Sequence, residues 1–221
     1  MENGRKDAAG DGPRTKDPSD VIHEPDALEA YLDEYFRSER TTFEQWVMRF
    51  AMEPYKSRNR LMVNAVRLRS PRRVFEFACA AGFLAKGILE ACPAIETYTI
   101  SNFSRRMLDV TAQQLSKFKA CDVRLIDAED RGDVMHPSRL SLYDLFVTTS
   151  FEHIQHDREL IERFPTGASF VFSVACFDDV EHFRVFTHER QIRNRYEHLL
   201  DIVEIRHNAQ RSKMVVTSRR R

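Results

Sequence analysis

The chain has no charge excess of either sign: 34 Lys and Arg balance 34 Asp and Glu in 221 residues. That argues against a dedicated nucleic-acid binder, which carries a basic surplus. The basic end, Arg219-Arg220-Arg221, reads as a solvated terminus. Cys79, Cys92, Cys121 and Cys176 show no C-x-x-C spacing, which speaks against a zinc ribbon or a disulfide framework and suits reduced thiols in a cytoplasmic protein. No apolar run is long enough to span a bilayer, so no membrane partner is expected. The first residues, Met1-Glu2-Asn3-Gly4-Arg5-Lys6, lack the apolar stretch of a signal peptide, and none is expected there. What is present is a 42% apolar share, enough for the core of one domain of moderate size.

Residues 1–22 are polar, charged and Gly/Pro-containing, and are expected to be a disordered tail. Residues 23–70 form a helical preface. Leu28, Leu32, Tyr35 and Phe36 fall at helix spacing from Asp26. Thr41 and Glu44 suggest a capping box that opens a second helix bearing Phe43, Trp46, Val47 and Phe50. Asn59 to Leu68 reads as a third helix, ended by Pro71. This aromatic preface suits a lid over a ligand site and equally suits packing on a sheet edge.

From 71 to 221 strands and helices alternate, which implies an α/β fold with a mostly parallel sheet covered on both faces. Strands are expected at 73–77, 97–101, 122–126, 142–148, 169–174, 200–206 and 212–218. The last two are joined by the short polar link His207–Arg211, which suggests a hairpin and one antiparallel strand at the edge. Helices are expected at 83–91, 105–119, 137–140, 157–164 and 189–199.

The central stretch is Glu76-Phe77-Ala78-Cys79-Ala80-Ala81-Gly82, a strand running into a turn of small residues and then a helix. Backbone there is open to a ligand, and free helix amides face it. The stretch resembles the first motif of the class I S-adenosylmethionine-dependent methyltransferases, E-x-G-x-G-x-G, with alanine at the first two glycines. An alanine at positive φ costs about 1–2 kcal/mol, so both alanines are expected at negative φ in a re-shaped turn.

Three further strand ends extend the resemblance. The second reads Ser101-Asn102-Phe103-Ser104, then Met107-Leu108, where the family has D-x-S-x-x-M-L and the acid holds the ribose hydroxyls. Asn102 takes that place without the charge, so cofactor binding should persist and weaken by about 1 kcal/mol. Asn102 or Ser104 also suits a helix cap. The third ends in Asp127-Ala128, matching the family's D-A contact with adenine. The fourth reads Tyr143-Asp144-Leu145-Phe146-Val147-Thr148-Thr149-Ser150-Phe151-Glu152-His153-Ile154, close to the family's fourth motif. By resemblance, Thr149 and Ser150 meet the methionine end of the cofactor and Phe151 packs nearby.

The resemblance therefore implies a Rossmann-like, doubly wound seven-stranded sheet. The cofactor is S-adenosyl-L-methionine, and the implied cofactor residues are Glu76, Ala78, Cys79, Ala80, Gly82, Asn102, Phe103, Met107, Asp127, Ala128, Thr149, Ser150 and Phe151. His153 is the candidate base, because imidazole titrates near neutrality; ordering the loop is its other reading. His182 and Arg184, after the fifth strand, suit an acidic or phenolic substrate, or equally internal ion pairs of a surface loop. No N-P-P-Y-type tetrad follows the fourth strand, so amide or nucleobase N-methylation has no specific support. The expectation is a methyltransferase acting on a small molecule. A non-catalytic scaffold or partner subunit is the alternative, motivated by Ala78, Ala80 and Asn102. A nicotinamide oxidoreductase on a purely parallel sheet is a third.

Overall fold

The computed structural model describes residues 12–17, 25–102, 104–128, 132–179 and 182–221. In chain order the elements are β1 Arg14–Thr15, α1 Pro25–Ser38, α2 Phe43–Met48, α3 Tyr55–Arg67, β2 Arg73–Glu76, α4 Phe83–Ala91, β3 Thr97–Asn102 and α5 Arg105–Leu115. There follow β4 Cys121–Leu125, α6 Pro137–Leu140, β5 Leu145–Thr148, α7 Asp157–Arg163, β6 Ser169–Ala175, β7 Arg184–Val185, α8 Glu189–Tyr196, β8 Leu200–His207 and β9 Lys213–Arg220. The seven main strands lie in the order β4-β3-β2-β5-β6-β9-β8. β2 pairs parallel with both β3 and β5, so the strand order reverses at the centre of the sheet. β9 runs antiparallel to both neighbours and enters one place in from the β8 edge.

Strand alternation sorts the side chains into two cores. Phe75, Phe77, Phe146, Phe170 and Phe172 point to one face and pack on Leu160 and Ile161 of α7 and Ile192 and Tyr196 of α8. Val74, Leu145, Val147 and Val171 point to the other and pack on α3 and α4 through Met62, Val66, Leu84 and Ile88. The phenylalanines of β2, β5 and β6 go to one face and their valine and leucine neighbours to the other, which is how a run such as Phe170-Val171-Phe172 can be buried on both sides.

Three expectations need correction. The capping box is one residue later: Thr42 Oγ1 accepts the Gln45 N–H and Gln45 Oε1 accepts the Thr42 N–H. Gln reaches the cap amide as Glu would, so the box is Thr42 with Gln45 and not Thr41 with Glu44. α3 starts at Tyr55 rather than Asn59, because Glu53 accepts the Ser57 amide there. Within the segment expected as a disordered tail, β1 pairs antiparallel with β7. Backbone bonding to a distant strand orders it, which polar composition does not reveal. Residues 1–11 and 18–22 of that expectation lie outside the described residues.

Candidate active site

The strand order reverses between β2 and its neighbours, and ligands of open α/β sheets bind beyond the carboxyl ends of the strands at such a point. A cavity of about 320 Å³ lies there. Ala78 and Ala80 line it from the end of β2, Asn102 from β3, Asp127 and Ala128 from β4, and Thr149 and Ser150 from β5. Met107 of α5 and the imidazoles of His153 and His182 complete that wall. Opposite them the preface supplies Tyr31, Tyr35, Trp46, Phe50 and Tyr55. The aromatic helices thus contribute to the cavity lining. Trp46 meets Phe36 and Phe50 edge-on, and Phe50 meets Tyr55, so these rings form one continuous cluster.

The turn after β2 departs from expectation. Ala78 and Ala80 hold φ of +52° and +48°, the left-handed region. The loop keeps the conformation glycines would take, and the alanines absorb the strain. Cys79 N–H bonds Ser101 O and Thr149 Oγ1 donates to Ala78 O, ties that leave the turn little freedom to relax. Gly82, at φ +77°, precedes α4, and a Cβ there would lie 2.9 Å from Thr111 Cγ2. Its role is the close approach of α4 to α5, and it does not line the cavity. Cys79 is buried with its Sγ 3.9 Å from Thr111 Oγ1.

Glu76 is the last residue of β2, ahead of the turn, and is not among the residues lining the cavity. It is fully buried and accepts the Tyr98 hydroxyl through Oε2, while Oε1 has no partner. Burial raises its pKa to about 8 against the opposing pull of Tyr98 and Arg58. Phe151 is buried in the aromatic core against Phe77, Phe170 and Phe172 and is not among the residues lining the cavity. Asn102 Oδ1 accepts the Ser104 N–H at 2.9 Å, and Ser104 caps α5. Asn102 therefore shapes the loop as well as facing the cavity. Phe103 lies outside the described residues.

Arg184 is turned away from the cavity. It donates to the Ile154 and Gln155 carbonyls and pairs with Asp157, so it fastens the segment after β5 to β7. A guanidinium matches paired carbonyls as well as a substrate carboxylate, and only the fold decides between them. His182 does reach the cavity.

Three charged residues had no assigned role in the sequence. Arg58 is buried, donates to Thr149 O at 3.2 Å and holds Asn59 Oδ1. Its pKa falls to about 10 through burial, which Glu152, Tyr55 and Glu76 offset, so it remains a cation. Lys213 places its ammonium 3.0 Å from Glu152 Oε1 and 4.8 Å from the Phe177 ring centre. Burial pushes the Glu152 carboxyl up, but Lys213 and the two imidazoles outweigh it and hold it below the usual range. A lysine inside a buried strand was a readable signal; nothing local marks Arg58. Burial lowers the His153 pKa to about 3, with Glu152 opposing and His182, Lys213 and Arg58 assisting. The ring is neutral at physiological pH and a weak proton acceptor.

No protein-family model and no curated protein matches the chain. Solved structures do. The N-methyltransferase NodS from Bradyrhizobium japonicum, in complex with S-adenosyl-L-homocysteine, superposes with a TM-score of 0.64 over 85% of this chain and 97% of that one, at 16% identity. An O-methyltransferase family protein from Burkholderia thailandensis gives 0.53 over 78% and 61%, at 13% identity. The O-methyltransferase TomG from Streptomyces achromogenes, in complex with SAM, gives 0.51 over 74% and 79%, at 13% identity. The chain has the fold of the class I S-adenosylmethionine-dependent methyltransferases. Antiparallel β9 departs from the purely parallel sheet of the nicotinamide reading.

Proposed function

We propose that the protein is an S-adenosylmethionine-dependent methyltransferase acting on a small molecule in the cytoplasm. The observation that carries this is the cavity at the reversal of strand order, walled by the ends of β2, β3, β4 and β5. Its volume of about 320 Å³ suits a small ligand. The cofactor fits the residues present. Ala78 and Ala80 keep glycine-like backbone along the methionine side. All five remaining motif residues line the cavity, and by the family resemblance Asn102 would meet the ribose, Asp127 and Ala128 the adenine, and Thr149 and Ser150 the methionine end. Neighbours crystallised with SAH or SAM support this choice.

When bound, the cofactor supplies an electrophilic sulfonium methyl group. The chain's contribution is proximity and exclusion of water. Aromatic rings from α1 and α2 line one part of the cavity, and the side assigned to the acceptor is bounded by His153, His182, Lys213 and Tyr55. Zero formal charge and a cavity of about 320 Å³ favour a small acceptor over a nucleic acid. His153 bounds that side as a neutral ring.

A second reading, the non-catalytic scaffold, rests on Ala78, Ala80 and Asn102. Calorimetric titration with S-adenosylmethionine, S-adenosylhomocysteine and NADH decides between them. Micromolar binding of the sulfur nucleotides alone is expected. Absence of binding at millimolar concentration would leave the scaffold.

A further inference from the structure

On the acceptor side, Glu152, His153 and His182 bring one carboxylate and two imidazoles together, with one donor atom of each within 4.8 Å of the others. His182 Nε2 is 3.7 Å, and His153 Nε2 4.0 Å, from Glu152 Oε1. We propose that these three residues bind a divalent transition-metal ion of the zinc type, with its open coordination position facing the cavity.

Two observations beyond the clustering carry this. Glu152 is fully buried, and its Oε2 has no hydrogen-bond partner. A carboxylate offers about four acceptor sites, and Lys213 uses one. Second, His182 Nδ1 lies 3.1 Å from the Phe177 carbonyl. A carbonyl only accepts, so Nδ1 carries the hydrogen and the neutral ring turns its Nε2 lone pair toward Glu152. Two acceptors then face each other across 3.7 Å, an arrangement a cation between them relieves. The Phe177 bond is also the kind of outer contact that orients a ligating histidine.

The spacing suits such an ion. Zinc bonds of about 2.0–2.2 Å at a tetrahedral angle put donor atoms roughly 3.4 Å apart. Small tilts of the two rings close the difference. Two imidazoles with one carboxylate select zinc, iron or nickel over magnesium or calcium. Lys213 and Arg58 stand nearby as cations, so the affinity should be micromolar rather than that of a structural zinc site.

His153 and His182 both line the cavity, so a substrate oxygen can reach the remaining position. That consequence rests on the methyltransferase reading and makes His153 a ligand rather than a free base; metal binding itself does not depend on it.

The test uses the full chain, stripped with a chelator and free of cofactor, titrated with Zn2+ and Co2+ by calorimetry and by Co2+ absorption. One ion per chain is expected, with no competition from Mg2+. His182→Ala and His153→Ala should each weaken binding at least about tenfold. His153 is at the cavity wall, so its variant remains informative if His182→Ala fails to fold. No bound Zn2+ or Co2+ at millimolar concentration would overturn the proposal. Equal affinity in the variants would also overturn it, by placing the ion elsewhere. Neither result bears on the cofactor titration.

Discussion

The Lys213 ammonium and the Glu152 carboxylate, one from the antiparallel strand β9 and the other from the turn after β5, meet at 3.0 Å with both side chains buried. Breaking a buried pair from one side strands the other charge, at a cost of about 3–5 kcal/mol. Lys213→Met should lower unfolding free energy by that order in urea denaturation. Lys213→Met combined with Glu152→Gln should recover much of it, because no charge is then left alone. Equal loss in the single and double variants would assign the effect to packing.

Ala78 and Ala80 sit at φ +52° and +48°. Glycine would relieve about 1–2 kcal/mol of strain at each and lose about 0.5–1 kcal/mol through the unfolded chain. Ala78→Gly and Ala80→Gly should each be neutral to about 1 kcal/mol stabilising, read by denaturant midpoint. Removing the two Cβ groups from the cavity wall should also tighten S-adenosylmethionine binding in calorimetry. A loss of stability would show that the turn is not strained.

Asn102→Asp places a carboxylate where the family has one. It can still accept the Ser104 N–H, and a charged acceptor strengthens a ribose contact. Cofactor affinity should rise by about 1 kcal/mol, roughly fivefold, and should do so above the carboxylate pKa only. An unchanged affinity from pH 6 to 8 would mean that Asn102 serves the loop alone.

Glu76 carries a pKa raised from 4.5 to about 8, so between these values the folded chain binds a proton that the unfolded chain has released. Its contribution to stability is therefore fully present below pH 4.5 and is lost as pH rises through about 8. Wild-type stability should carry this decline. Glu76→Gln should remove that component, measured as unfolding free energy at pH 6 and pH 9. A decline that persists in Glu76→Gln would point to another group.

His153→Ala should lower methyl-transfer turnover strongly and leave S-adenosylmethionine affinity within a factor of about two, since the ring lines the part of the cavity proposed for the acceptor. The check is kcat beside a calorimetric Kd, once an acceptor is found. Unchanged turnover would remove His153 from the reaction.

Much of the fold was legible in the chain itself. Alternation of apolar strands with helical periodicity set the element order, and α4 at 83–91 and α6 at 137–140 fall where expected. Small residues from Ala78 to Gly82, between a strand and a helix, marked the centre. Local pattern could go no further, because several residue types serve two roles equally well. Arg184 could bind substrate or carbonyls, and pairing with β1 and the turn after β5 decided for carbonyls. Phe151 could flank the cofactor or fill the core, and the direction of its strand end sent it to the core. The alanines could take either sign of φ, and backbone ties to β3 and β5 held both positive. Only the tertiary structure brought Arg58 of α3, Glu152 after β5, His182 after β6 and Lys213 of β9 to one place. Those four are far apart in the chain, and their chemistry exists only through the burial and proximity that folding imposes.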